Sequence, residues 1–304
     1  MTALRVQGLL FCAIGAGVAA IVVAGVARAP DDAAVLFLLA APILLLGVPH
    51  GALDPVFAQE LYGVHGVLGW CAFVLAYLGM ALLVVLLWHF VPQLFLSSFL
   101  LLSALHFSGD PARGTPVTAR LLFGGAVIVL PALLHEDEMG RLFAFLVTQQ
   151  AAAAQASLLH ELSGPWLLAT ALTAAWQARS DWLTGLEMAV AAALALFAPP
   201  LLGFAVFFCV MHSARHIVRT WHYVGAGAGQ AARLGRAALL PTFGTLVLGA
   251  AVAYCWRAQP LEAGLIQWLF VGLAALTVPH MALVEPVRWS GWVKRRARAP
   301  LDAG

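Results

Sequence analysis

Apolar runs about as long as a membrane crossing recur from one end of this sequence to the other, with little polar chain between them. A helix needs about 20 residues to cross hydrocarbon, and lipid tolerates only backbone whose polar groups are bonded internally. Such a chain is expected to fold as an all-α polytopic transmembrane helical bundle of about 8–10 helices. Charged residues make up 10% of the 304 positions and apolar ones 62%, whereas a soluble domain carries about 25% charge. The mean hydropathy of +0.93 argues against a soluble enzyme, a disordered chain and a nucleic-acid binder. Ten spans with short connections would use nearly all of the sequence, so 1–304 reads as a single integral-membrane domain.

The ten runs cover about 4–27, 33–51, 67–88, 91–107, 121–134, 142–159, 166–176, 186–211, 238–256 and 264–284. The first reads as a retained helix rather than a secretory leader. His135, Glu136, Asp137, Glu138 and Arg141 read as a loop, and the stretch 142–176 as two short, tilted or re-entrant segments. Pro199 and Pro200 either kink the eighth run or divide it into two short helices. The basic tail 286–304 carries Lys294, Arg295, Arg296 and Arg298. Cys12, Cys71, Cys209 and Cys255 form no CxxC and read as small hydrophobes. Lysine and arginine near span ends favour the cytoplasm. Ten spans then put the C-terminus, the Arg215–Arg236 connection and the Arg113/Arg120 turn inside, with Asp31, Asp32 and the acidic 135–141 stretch outside.

In that topology five of the ten histidines share one depth near the cytoplasmic face: His50, His106, His212, His216 and His280. His212 and His216 are four apart, so a helix projects both imidazoles from one face, where they can chelate one metal. His50 and His106, at neighbouring helix ends, complete a candidate set of four nitrogen ligands. Imidazole suits iron, zinc, copper or nickel rather than calcium or magnesium. Asp54 follows His50 by four residues and Asp110 follows His106 by four. Continued helical geometry would set each carboxylate beside its histidine, to fix the ring tautomer. Phe99, Phe107, Phe207 and Phe208 lie nearer this depth than most aromatics and are candidates to line a slot for a long apolar substrate. The tryptophans read mainly as an interfacial belt.

Several of these residues fall in motifs. Pro49-His50-Gly51-Ala52-Leu53-Asp54, Ala104-Leu105-His106-Phe107 with Asp110, His212-Ser213-Ala214-Arg215-His216 and Pro279-His280 resemble, in order and spacing, the Brp/Blh family of membrane-embedded β-carotene 15,15'-dioxygenases. The resemblance covers about residues 33–285. It implies an enzyme that cleaves the central double bond of all-trans-β-carotene with O2, giving two all-trans-retinal, at a mononuclear non-haem Fe(2+) held by histidines. The family's metal histidines match His50, His106, His212 and His216, and its late Pro-His matches Pro279-His280 as a near-site pair. The turn Ser108-Gly109-Asp110 departs from the family pattern, in which a glycine more often follows the aromatic directly. Partners implied are membrane-dissolved β-carotene, O2 and a rhodopsin that takes up retinal, and the location implied is a bacterial inner membrane.

Two other classes compete. A di-iron desaturase or hydroxylase would need around eight clustered histidines, and this chain has a single HxxxH. A carotenoid- or retinal-binding accessory factor, or a transporter with discontinuous helices at Pro199–Pro200 and 142–176, would work without metal.

Overall fold

The computed structural model describes residues 2–25, 39, 41–43, 51–225, 229–255, 261–290 and 292. Among these the regular structure is helical throughout, as the hydropathy requires. α1 (Ala3–Val23) starts at Thr2, whose hydroxyl accepts from the N–H of Arg5 at 3.4 Å. The short α2 (Asp54–Tyr62) ends on Gly63 in the left-handed region (φ 61). α3 (Gly66–Phe90) and α4 (Pro92–Phe107) are joined by Val91 alone. α5 (Val117–Val129) and α6 (Pro131–Ala144) meet at Leu130 with a bend of 45°. α7 (Gln149–Gln177), α8 (Trp182–Phe197), α9 (Pro200–Val224), α10 (Gln230–Cys255) and α11 (Leu261–Trp289) follow.

Four helices among the described residues are long and apolar enough to cross a membrane: α1, α3, α9 and the Gly264–Trp289 part of α11. The bent α5–α6 pair makes a fifth if it is one span, while α4 and α8 are apolar but shorter. α3 buries none of its 25 residues, with Val67 and Leu68 more than four-fifths exposed. α3 packs on α4 and α11 along part of its surface, and the rest, apolar and open, is the kind of face that meets lipid.

The structure redraws three sequence boundaries. The expected pair 142–159 and 166–176 is one helix, α7, with Pro165 inside it. Proline is tolerated in membrane helices because neighbouring groups satisfy the backbone it frees. The 186–211 run does divide at Pro199–Pro200, into α8 and α9, and these two changes offset one another in the segment count. The acidic stretch 135–141 is not a loop: it lies in α6, kinked at His135 (φ −132, ψ 37). Arg215 and Arg219 likewise belong to α9 and not to a connection, and both are buried.

Inside the membrane helices gain little from apolar burial alone, so they associate through close packing and polar contacts. α1 packs on α8 and α9, α7 on α5, α6 and α8, and α11 on α2, α3 and α4. The approach of α5 to α4 depends on Gly124, where an added Cβ would lie 2.2 Å from the carbonyl oxygen of Ala104. Arg215 of α9 forms a two-pronged ion pair with Glu187 of α8 (2.8 and 2.5 Å) and donates to Gln7 Oε1 of α1 at 2.7 Å. A buried charge pair of this kind is costly to break, because it leaves one ion uncompensated. It ties three helices around the end of the bundle where the histidines gather.

Candidate metal centre

His106 sits in the last turn of α4, His212 and His216 on adjacent turns of α9, and His280 in α11. Their side chains are almost wholly buried. His106 is the hub: its ring centroid lies 4.7 Å from that of His212 and 5.3 Å from that of His280. His216 joins through His280 at 5.1 Å. His50 lies outside the described residues. The structure therefore brings three of the four expected metal ligands, and the expected near-site His280, into one cluster. α9 is locally widened: Phe207–Ser213 forms a π-helical turn that contains His212, a distortion often found at functional sites.

The carboxylates are arranged differently from the i,i+4 expectation. Asp110 Oδ2 is 2.9 Å from Nδ1 of His212, not beside His106, because α4 stops at Phe107 and the chain turns through Ser108 and Gly109. Asp54 Oδ1 is 2.6 Å from Nδ1 of His280, and Tyr77 donates its hydroxyl to Asp54 Oδ2 at 2.9 Å. The expected His50–Asp54 pair falls outside the described residues. Nδ1 of His106 meets Glu285 Oε1 at 2.6 Å. Three imidazoles thus each face a different acid through Nδ1. An ionised carboxylate only accepts, so in His212 and His280 Nδ1 carries the proton and Nε2 the lone pair.

Arginines fix the acids in turn. Arg288 donates to Asp110 Oδ1 (2.9 Å), Glu285 Oε1 (3.1 Å) and the carbonyl of His106 (2.7 Å). Its Nη1 lies against both ring nitrogens of His106, at 2.5 and 3.1 Å. Gly109 leaves room for that guanidinium, since a Cβ there would come within 2.6 Å of it. Arg219 donates to the carbonyls of Gly109, Asp110 and Pro111 at 2.7–2.9 Å, and Arg215 to that of Asp110 at 3.1 Å. Burial alone would raise the carboxyl of Asp110, but His212, Arg288 and Arg219 outweigh it and hold the group below its ordinary range.

No three His, Cys, Asp or Glu side chains among the described residues meet as an ion-binding group. In donor chemistry the set is of the kind that suits iron, zinc, copper or nickel. It offers the imidazoles of His212 and His280, each with Nδ1 on a carboxylate, and their Nε2 atoms and both ring nitrogens of His216 are buried.

Aromatic rings lead to the cluster. Phe208 stacks on His212 (5.5 Å) and Phe107 meets it edge-on (5.0 Å). From Phe208 the rings continue through Phe204 (5.3 Å) and Phe270 (5.9 Å) to Phe99 (6.4 Å). Phe207 packs on Phe107 at 5.1 Å. All four phenylalanines singled out in the sequence belong to this packed series of rings or touch it. Glu285, Arg288, Tyr77, Phe204 and Phe270 were not singled out there. The signal for the first two was an acid and a base five and eight residues after His280, which looked like an ordinary helix end.

A family model described as Beta-carotene 15,15'-dioxygenase matches residues 41–287. The chain is 29% identical over 255 residues to a protein named Beta-carotene 15,15'-dioxygenase from an uncultured marine bacterium, 66A03, covering 80% of this chain and 90% of that one. It is 27% identical over 290 residues to a Probable beta-carotene 15,15'-dioxygenase Blh of Halobacterium salinarum, covering 81% and 82% respectively. No solved structure matches it significantly.

Proposed function

Since this chain belongs to the β-carotene 15,15'-dioxygenase family, we propose that it cleaves all-trans-β-carotene at its central double bond with O2. The carbon–carbon bond is broken and each of its carbons takes one oxygen atom, giving two all-trans-retinal. The observation that carries this reading is the triplet of buried imidazoles, His106, His212 and His280, each facing its own carboxylate through Nδ1 at 2.6–2.9 Å. His50, His106, His212 and His216 would hold Fe(2+), and the contacts of His280 add it to the candidate ligands. Bound iron(II) supplies the centre at which dioxygen is activated.

The protein's own part is to position, orient and exclude. Asp110 and Asp54 keep the Nδ1 protons of His212 and His280 in place, leaving their Nε2 lone pairs free for a metal, while Glu285 and Arg288 fix the ring of His106. The ring series Phe99–Phe270–Phe204–Phe208 offers flat surfaces for a conjugated chain ending at His212. A polyene held there has few orientations to choose from, and the dry surroundings protect its reactive carbons from water. We assign no side-chain nucleophile or general base. β-Carotene dissolves in lipid, so it enters between helices from the bilayer. Retinal returns there, available to a retinal-binding rhodopsin. The bundle resides in a bacterial inner membrane with the histidines near the cytoplasmic face.

The test is production of the chain in cells that accumulate β-carotene, with retinal and residual pigment measured by chromatography. Metal analysis after anaerobic purification accompanies it. Retinal formation with one iron per chain is expected, and His212→Ala or His216→Ala abolishes both. Two irons per chain would favour the di-iron class, and retinal-independent carotenoid binding without metal would favour an accessory role.

A further inference from the structure

A cavity of about 860 Å³ opens beside the histidine cluster, on the far side of the Gly109–Pro111 turn. Six arginines line it: Arg5, Arg113, Arg120, Arg215, Arg219 and Arg288. Arg215, Arg219 and Arg288 are occupied in the network above. Arg120 donates Nε–H to the Ser108 carbonyl (2.9 Å) and lies over the ring of Trp289 at 4.1 Å. Arg5 and Arg113 are exposed, and their side chains make no ion pair among the described residues. The carboxylates that line the cavity are Glu187, committed to Arg215, and Asp181, which caps α8. With Asp110 and Glu285 counted behind the wall, six guanidiniums meet four carboxylates and two positive charges are left over.

The walls are helix ends: the first turns of α1 and α8 and the last turns of α9 and α11. α1, α9 and α11 are candidate spans, so the cavity lies at the depth where hydrocarbon gives way to headgroups. Trp182, Trp289 and Trp292 line it, and tryptophan is enriched at that depth. Leu4, Leu183 and Ala112 give it an apolar side as well. A basic pocket between membrane helices, partly apolar and far larger than a phosphate ion, suits a phosphate group that brings glycerol and acyl chain with it.

We propose that this cavity binds the phosphodiester headgroup of an anionic phospholipid, with Arg5 and Arg113 supplying the charge selectivity. Neither residue belongs to the histidine network, so the proposal stands apart from the proposed reaction. Bound there, the headgroup also faces Arg219 and Arg288, the side chains that hold the Asp110 turn.

The full chain, purified in detergent, is mixed with phosphatidylglycerol or phosphatidylcholine of the same acyl chains, and retained lipid is counted by native mass spectrometry. Each basic residue at a membrane surface favours anionic lipid by about 5-fold. The native chain should prefer phosphatidylglycerol by more than about tenfold, and the double variant Arg5→Gln/Arg113→Gln should lose most of that preference. Arg113→Gln alone, in an exposed turn, should lose part of it and guards against a folding defect in the double variant. Equal retention of the two lipids, or an unchanged preference in both variants, overturns the proposal. Displacement of phosphatidylglycerol by millimolar inorganic phosphate overturns the lipid assignment and leaves a free-anion site.

Discussion

Asp110 does two things at once: its side chain faces His212, and its carbonyl collects guanidinium donors from Arg215 and Arg219. An asparagine would keep the size and lose the charge that secures the ring tautomer. Asp110→Asn and Asp54→Asn should each weaken iron binding by about 10–100-fold, measured by anaerobic titration of the purified variants. Gly109→Ala tests the same turn from the other side. Its methyl group displaces the Arg288 guanidinium from the buried Asp110 and Glu285, so iron affinity and the melting temperature should both fall, read by titration and thermal unfolding. At this scale the sequence was informative about which histidines gather and less so about their pairing with acids. His212 and His216 declared themselves by spacing. Asp110 was assigned to the wrong histidine because a helix was extended three residues past its end. Glu285 and Arg288 show their role only when α11 is laid against α4, a contact between residues about 180 positions apart that no local pattern encodes.

Helix boundaries follow from a balance that the eye weighs poorly in a linear string. Gly164-Pro165 looks like a break, yet α7 runs through it. The charged residues after Pro131 look like a loop, yet they extend a helix whose buried face carries Ala132, Met139 and Phe143. Apolar run length predicts crossings well where lipid surrounds the helix, as in α3. It predicts them poorly where protein does, because a helix enclosed by neighbours tolerates charge and proline. The α4–α5 contact offers a direct test. Gly124→Val forces a side chain into the carbonyl of Ala104, two residues before His106. Overpacking at such a contact costs about 1–3 kcal/mol, so thermal unfolding in detergent should come several degrees earlier, with iron content reduced in the surviving protein.

For the whole molecule, the charge pattern predicts a sidedness that can be tested, with Arg215 and Arg219 leaving the count as buried structural residues. Arg113, Arg233, Arg236 and the basic tail remain as candidates for the positive side. Reporter fusions after residue 113 and at the C-terminus should both report the cytoplasm, and a fusion between α6 and α7 the opposite compartment. Agreement of the first two with each other and disagreement with the third is the pattern to look for. Opposite readings at residue 113 and the C-terminus would refute the arrangement.

The clasp made by Arg288 has a bearing on how the protein comes into being. His106 is synthesised early and enters the bilayer with α4, but the groups that grip it, Glu285 and Arg288, emerge from the ribosome only with the last helix. His280, the acid facing His106 and the arginine that holds the Asp110 turn all belong to that last helix. Under the proposed function, a chain cut short before Glu285 should retain neither iron nor retinal-forming activity, measured by metal analysis and chromatography.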